Sequence, residues 1–151
     1  MIIQKITKKD LLDIWIWRND KKSIYFSKSK KKITLETHAK WFDKNLKNKK
    51  VKLYIGYLCK ENEKKKIGVV RFDLKSKYAL VSINLNPIFR GSGLSNSLLA
   101  SAIKKFFEFK KIKLVAEIKK NNFASIKCFL KNRFYFFKSR NQYNFYQRSL
   151  G

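Results

Sequence analysis

The sequence predicts a single α+β domain built on a mixed sheet. Three observations carry this. Apolar strand-like runs at 51–59, 66–74 and 78–86 follow one another with short connections, which makes them an antiparallel meander. A long run of helical spacing comes next, and shorter strand and helix patterns alternate after it. The chain has 151 residues, 44% hydrophobic and 15% aromatic, enough for one packed core. One proline and five glycines leave no linker composition, and no solenoid-period repeat is present, so residues 1–151 read as one domain.

"IIQKI" (2–6) reads as a first strand. Asp10 can cap a helix running through Trp17, with Asp13 as a weak capping box. Residues 18–33, "RNDKKSIYFSKSKKKI", are polar and basic and read as a loop. Thr34 is the N-cap of a second helix, with Glu36 in its first turn and Leu35, Ala39, Phe42 and Leu46 on one face. The meander follows, its first two strands separated by the lysine-rich stretch 60–65 and its last two by a turn at 75–77. After Gly93, Leu94, Leu98, Leu99, Ala102, Ile103, Phe106 and Phe107 form the buried face of a long helix. "KLVAEI" (113–118) is a strand, 121–132 a helix, and "RFYFF" and "YNFYQ" are closing strands. Phe123, Ile126 and Leu130 read as core positions of that last helix.

Lys+Arg number 37 against 10 Asp+Glu, a net charge of +27. Such a field favours anionic partners. The excess is mostly lysine scattered along the whole chain, which fits a solvated basic surface and weighs against nucleic acid as the partner. The segment "KNRFYFFKSRNQYNFYQRS" does interleave aromatics with basics, as a single-strand stacking surface would, but closing strands of a packed sheet share that pattern. Cys59 and Cys128 make neither a disulfide framework nor, with the single His38, a metal set. A reducing, cytoplasmic setting and no metal are expected. The N-terminus turns polar after three residues, unlike a signal peptide, and no apolar run approaches the length of a membrane span.

"NPIFRGSGLSNSLL" (86–99) carries two of the five glycines, two residues apart, between a strand and a helix. Such a turn gathers backbone N–H groups, and the helix dipole adds partial positive charge: an anion site. Gly91 and Gly93 lack a Cβ, so a phosphate can come close, and Arg90 can add a charge-assisted donor. "GSGLSN" lacks the third glycine of a dinucleotide fingerprint, and no Gly-Lys-Ser/Thr of a Walker loop follows.

Three antiparallel strands, then Arg-x-x-Gly-x-small, then helix, strand and helix: this order resembles the GNAT superfamily of acetyl-CoA-dependent N-acetyltransferases over nearly the whole chain. The resemblance implies a mixed, mainly antiparallel sheet with helices on both faces. It implies that Arg90, Gly91, Ser92, Gly93, Leu94 and Ser95 hold the coenzyme A pyrophosphate, with Ser95 where the family has Gly or Ala. "NNFASIKCFLKNRF" resembles a second family motif, with Asn122, Ser125, Ile126, Phe129 and Phe134 in place and Arg133 where the family has Gly. It implies that Asn122, Ser125 and Phe129 lie toward the coenzyme. "WRND" (17–20) and "ITLETHAKWF" (33–42) resemble the branch that acetylates the 4-amino group of UDP-linked amino-dideoxy sugars in pseudaminic acid biosynthesis, a flagellin and surface sugar. That implies an anionic amino-sugar nucleotide as acceptor, with Arg18, His38, Arg71, Asp73 and Asn84 on its side. Arg71 and Asp73 share a strand face, and on the neighbouring strand Asn84 shares one with Ser82. Structural roles compete for each: a helix C-terminus for Arg18, burial for His38, a surface pair for Arg71 and Asp73.

Direct acetyl transfer needs a base, a polarised carbonyl and a leaving thiolate. The backbone N–H near Leu85 is a candidate oxyanion donor. Glu117, Asp73 and His38 are candidate bases. Phe129 stands where the family often has a proton-donating tyrosine. Cys128 beside it points about 100° away on a helix. Two other readings stand: a GNAT enzyme acting on a protein or small-molecule amine, and a basic nucleic-acid-binding protein.

Overall fold

The computed structural model describes residues 1–150. Its elements are β1 (Ile2–Lys5), a 3₁₀ turn (Lys8–Asp10), α1 (Leu11–Arg18), α2 (Lys21–Phe26), α3 (Leu35–Lys47), β2 (Val51–Lys60), β3 (Glu63–Leu74), β4 (Tyr78–Leu85), a 3₁₀ turn (Pro87–Phe89), α4 (Leu94–Phe109), β5 (Lys113–Lys119), α5 (Phe123–Lys131), β6 (Tyr135–Arg140) and β7 (Tyr143–Arg148). One sheet of seven strands runs in the order β1-β2-β3-β4-β5-β7-β6. β4 and β5 pair in parallel and the other neighbours antiparallel. This is the expected α+β fold, a mainly antiparallel mixed sheet with helices on both faces.

Strand periodicity divides the core into two layers. On one face Tyr54, Val70, Phe72 and Val81 pack under α4 and α5, with Leu98, Leu99, Ala102, Ile103 and Phe106 from the predicted stripe. Phe72 and Phe106 stack at 4.2 Å. A Cβ on Gly56 or Gly68 would meet Leu98 at 2.3 or 2.8 Å, so both glycines let α4 lie close on the sheet. On the other face Leu53, Ile55 and Val69 pack under α1 and α3 with Ile14, Trp17 and Phe42. Burying each such side chain stabilises by roughly 1.5–3 kcal/mol.

Several boundaries differ from the sequence reading. Residues 18–33 are not all loop: Asp20 caps α2, its carboxylate accepting from the N–H of Lys22 at 3.1 Å and of Ser23 at 3.4 Å. No α2 residue is buried, so no apolar stripe marked it. Asp10 does not cap α1; its carboxylate turns back to accept from the Thr7 N–H at 2.8 Å. Asp10 also pairs with Lys66 at 2.8 Å, and Asp13 does so at 2.7 Å. Burial pushes the Lys66 ammonium down, but the two carboxylates outweigh it and hold it above the ordinary lysine range. β3 starts three residues early, because the turn is only Glu61 and Asn62, both at positive φ as a type I′ hairpin requires. In α3, Leu35 is 41% exposed and His38 is buried in its place. Phe123 and Leu130, expected in the core, are exposed. They lie on the outer side of α5, whose inner face is Cys128 and Phe129.

Arg133 ends α5 in the left-handed region, at φ +66. Its N–H donates to Leu130 O at 3.1 Å and the Phe134 N–H to Phe129 O at 3.2 Å, a left-handed helix stop that favours glycine. A non-glycine residue there costs about 1–2 kcal/mol. Arg133→Gly is therefore expected to stabilise the fold by about 1 kcal/mol after the added freedom of the unfolded chain is counted. The measurement is a higher urea midpoint at unchanged m value; a lower midpoint would show that the arginine side chain contributes more than its backbone strain costs.

Candidate active site

β4 and β5 are paired over Tyr78–Lys113, Ala79–Leu114 and Leu80–Val115, and then part. Both strands run on beyond the last pair, so a gap opens between 81–85 and 116–119. Asn86 donates its N–H to Ile67 O at 2.7 Å, on the β3 side. Amides alternate sides along an antiparallel ladder, so the Leu85 N–H points away from β3, into the gap. Glu117 and Lys119 alternate with core-facing Ala116 and Ile118, and so face the α1–α3 side. Continuing the pairing count sets Glu117 across the gap from Ser82, and Lys119 across from Asn84.

The segment 86–95 turns the end of β4 into α4. Asn86 accepts from the Ile88 N–H at 3.3 Å and donates to Lys66 O at 2.9 Å, which fixes the start of the turn. Gly91 and Gly93 lie at φ +76 and +79, and among the described residues nothing stands within 4 Å of where a Cβ would be on either. Both glycines are thus needed for the backbone and leave open space on the turn. Gly93 is the N-cap of α4, where it offers no side-chain acceptor. Ser92 Oγ accepts from the Leu94 N–H at 3.3 Å and donates to Phe89 O. Beyond the Leu94 N–H, the start of this long helix carries partial positive charge outward.

Arg90 is held elsewhere than expected. Its guanidinium pairs with Asp20 at 2.5 Å and donates to Ser23 Oγ at 3.4 Å. Arg90 beside it holds the Asp20 carboxyl below its usual range. Ser23 Oγ in turn donates to Asn84 Oδ1 at 3.0 Å. On the other side of the gap, Lys28 pairs with Glu117 at 3.0 Å. Lys119 donates to Tyr25 O at 3.2 Å and Ser27 O at 3.0 Å. The segment 20–28 therefore straps the gap on the α1–α3 side, tied to both strands. Ile33 anchors its far end, accepting from Trp15 Nε1 and Asn19 Nδ2, each at 2.7 Å.

The other expected residues divide. Arg18 sits at the end of α1, donating to Ser29 Oγ at 3.3 Å, and its Nη1 is buried without a hydrogen-bond partner among the described residues. It stands beside the strap. Arg71 and Asp73 pair with each other at 2.9 Å, with the guanidinium 5.4 Å from the Trp41 ring, on the sheet face under α3. His38 is 2% exposed, and its Nε2–H donates to Leu11 O at 3.0 Å. Burial pushes its pKa down, and nearby Arg18 adds to this. It is a structural residue between α1 and α3 and does not face the gap. Asn122 caps α5, accepting from the Ser125 N–H at 3.3 Å. Phe129 is 1% exposed and meets Phe134 edge-on at 4.9 Å, so it is core rather than a ligand contact. Cys128 is buried, and that burial raises its thiol pKa. Asp20, Ser23, Lys28 and Lys119 escaped the sequence reading; an aspartate directly before residues 21–26 was the available N-cap signal.

The chain matches the sequence profile of a family described as "Acetyltransferase (GNAT) domain" over residues 1–135. No curated protein matches it by sequence. Among solved structures, a domain from Methanocaldococcus jannaschii is 24% identical with a TM-score of 0.85, covering 97% of this chain and 96% of that one. The Campylobacter jejuni N-acetyltransferase PseH, in complex with acetyl coenzyme A, is 18% identical with a TM-score of 0.73, covering 99% and 100%. A spermidine N-acetyltransferase from Vibrio cholerae, in complex with CoA and spermine, is 13% identical with a TM-score of 0.80, covering 97% and 92%. At these identities the likenesses speak for the fold. Among the described residues, no helix is long and apolar enough to cross a membrane.

Asp20→Asn keeps a capping oxygen but removes the charge that holds Arg90. It is expected to cost about 1 kcal/mol at neutral pH. Arg90 holds the folded carboxyl below the ordinary aspartate range, so its contribution is complete above that range and lost as pH falls through the lowered folded value. Urea unfolding should show a constant wild-type advantage from about pH 5 to 8 that shrinks below about pH 4. An advantage independent of pH would assign it to cap geometry alone.

Proposed function

The chain belongs to the GNAT acetyltransferase family and is an acetyl-CoA-dependent N-acetyltransferase, and on that footing we propose that it acetylates the amino group of a UDP-linked amino-dideoxy sugar. In this reading the turn 90–95 and the start of α4 hold the coenzyme pyrophosphate. The observation that carries it is the pair of positive-φ glycines with open space at both Cβ positions, beside the point where β4 and β5 part. Arg90 supports the turn through Asp20 instead of supplying the main donor.

Acetyl-CoA supplies the thioester whose acetyl group is transferred. The Leu85 N–H is aimed to stabilise the oxyanion as the amine nitrogen bonds to the carbonyl carbon. Glu117 faces the same gap with Lys28 on its carboxylate, and it is the base we favour for the amine proton. His38 is set aside, because its Nε2 proton is committed to Leu11 O in the core. The carbon–sulfur bond then breaks and the thiolate leaves. Neither Phe129 nor Cys128 offers it a proton, and a thiol of pKa about 8.5 leaves acceptably without one. The acceptor enters on the side of the strap, where Arg18 and Asn84 stand, with Arg71 and Asp73 farther along that face. The basic surface suits an anionic sugar nucleotide.

Two tests separate the parts. Gly93→Val forces a side chain into a left-handed position, costing about 1–2 kcal/mol, which a core of this size tolerates. The added groups fall in the open space on the turn. The folded variant should bind acetyl-CoA at least tenfold more weakly by calorimetry; unchanged affinity would move the coenzyme off this turn. For the acceptor, a thiol-release assay should show turnover with a UDP-4-amino-dideoxy sugar that falls about 10²-fold or more in Glu117→Gln. Turnover with peptide amines and none with the sugar would overturn the substrate.

A further inference from the structure

A cavity of about 320 Å³ opens beside the gap, where the strap, the end of β5 and the β6–β7 turn meet. Tyr25, Lys30, Lys119, Lys120, Asn121 and Gln142 line it. Three of these carry ammonium groups, and among the described residues no carboxylate lines the space. Lys119 is 7% exposed and spends two donors on Tyr25 O and Ser27 O, which leaves it a third N–H. Lys30 stands near enough that its charge, after burial, further depresses the Lys119 ammonium. Asn121 Nδ2 donates to the Tyr25 hydroxyl at 3.2 Å, which fixes one wall. Like charges gathered in a concave, partly desolvated site without a counter-ion make a receptor for an anion.

The nearest acid on the strand, Glu117, is already paired with Lys28. Glu117 and Lys119 lie on one face of β5 two residues apart, about 7 Å along the strand. The cavity is thus one step from the gap. It opens on the strap side of the sheet, whereas the glycine turn leads into α4 on the other.

We propose that this cavity is an anion subsite of the acceptor, taking its phosphate or diphosphate group. This rests on the acceptor reading above and says where that substrate's charge is held: by Lys30, Lys119 and Lys120. A substrate with its amine at Glu117 and its phosphate a few bonds away spans the two points.

The test uses UDP and inorganic pyrophosphate as probes of the full chain, with calorimetry at two salt concentrations. Lys30→Ala/Lys120→Ala removes two exposed charges and leaves Lys119 to hold the strap. Lys47→Ala/Lys49→Ala removes the same charge from a remote edge of the molecule. The cavity variant should bind UDP at least tenfold more weakly than wild type, about 1.4 kcal/mol, while the remote variant binds as wild type does. The acetyl-CoA affinity of all three should agree. Equal weakening in both variants would show only the general field of a +27 chain and overturn the subsite. Absent UDP binding to wild type, or a matching loss for acetyl-CoA, would overturn it too. If UDP binds through these lysines and the amino sugar is not turned over, the sugar fails and the subsite stands. If the sugar is turned over with the same KM in the cavity variant, the subsite fails and the sugar stands.

Discussion

Two strands that begin as partners and do not finish as partners set the rest of this structure. β4 and β5 share three residue pairs and then diverge. Had the pairing continued, the Leu85 N–H would be spent on a neighbouring carbonyl, and there would be no groove. Unpaired backbone in a sheet interior is costly unless something meets it. Two devices keep the strands apart. α4 and α5 pack on one face, with Leu98 seated over Gly56 and Gly68. On the other face the strap is tied to β4 through Ser23 and Asn84, and to β5 through Lys28 and Lys119. The groove is thus a fixed consequence of packing rather than a loop feature.

The scarcity of acid makes its placement informative. Eight of the ten Asp and Glu side chains form ion pairs, and those that join distant elements are few. Lys66 draws Asp10 and Asp13 to β3, which docks the start of α1 on the sheet. Asp20 holds Arg90, and Glu117 holds Lys28. The last two sets flank the groove. The exposed pairs Glu36–Lys40, Glu63–Lys65 and Glu108–Lys105 are local and worth little. A chain with so many lysines has few counter-charges, and the cation cluster beside the strap stands out as one that no carboxylate among the described residues meets.

Much of the fold was legible in the sequence, because burial writes a period. The α4 stripe and the alternation in β2, β3 and β4 each put apolar residues on a packed face, and each was read. α2 was not, because it buries nothing and is held by an aspartate cap, one serine and a backbone carbonyl that accepts from a β5 lysine. No local pattern announces contacts made across 61 or 94 residues of chain. The glycine turn was legible as a turn. What could not be read was that Arg90 leans back onto Asp20, or that Phe129 faces Phe134 in the core. His38 illustrates the same limit. Its helical position borders the apolar stripe, and only the arrival of Leu11 from α1 decides that its ring is a buried donor.

Gly91 and Gly93 also connect the two sides of the groove. Their positive φ values turn the chain sharply enough that Arg90, just before them, lies against the strap while the amides after them open toward α4. The first residue of the anion turn is therefore bonded to the N-cap of α2, and α2 is bonded to Asn84 beside the gap. Moving the strap outward would break the Asp20–Arg90 pair. Drawing Arg90 toward an anion on the turn would break the same pair from the other end. Two displacements that draw on one interaction are thermodynamically linked, and the linkage is reciprocal. Its upper limit is the strength of that pair in its partly exposed setting, roughly 1 kcal/mol, or about a fivefold change in either affinity. The geometry thus joins the 90–95 turn to the strap through four side chains, Asp20, Ser23, Asn84 and Arg90, with no moving domain required.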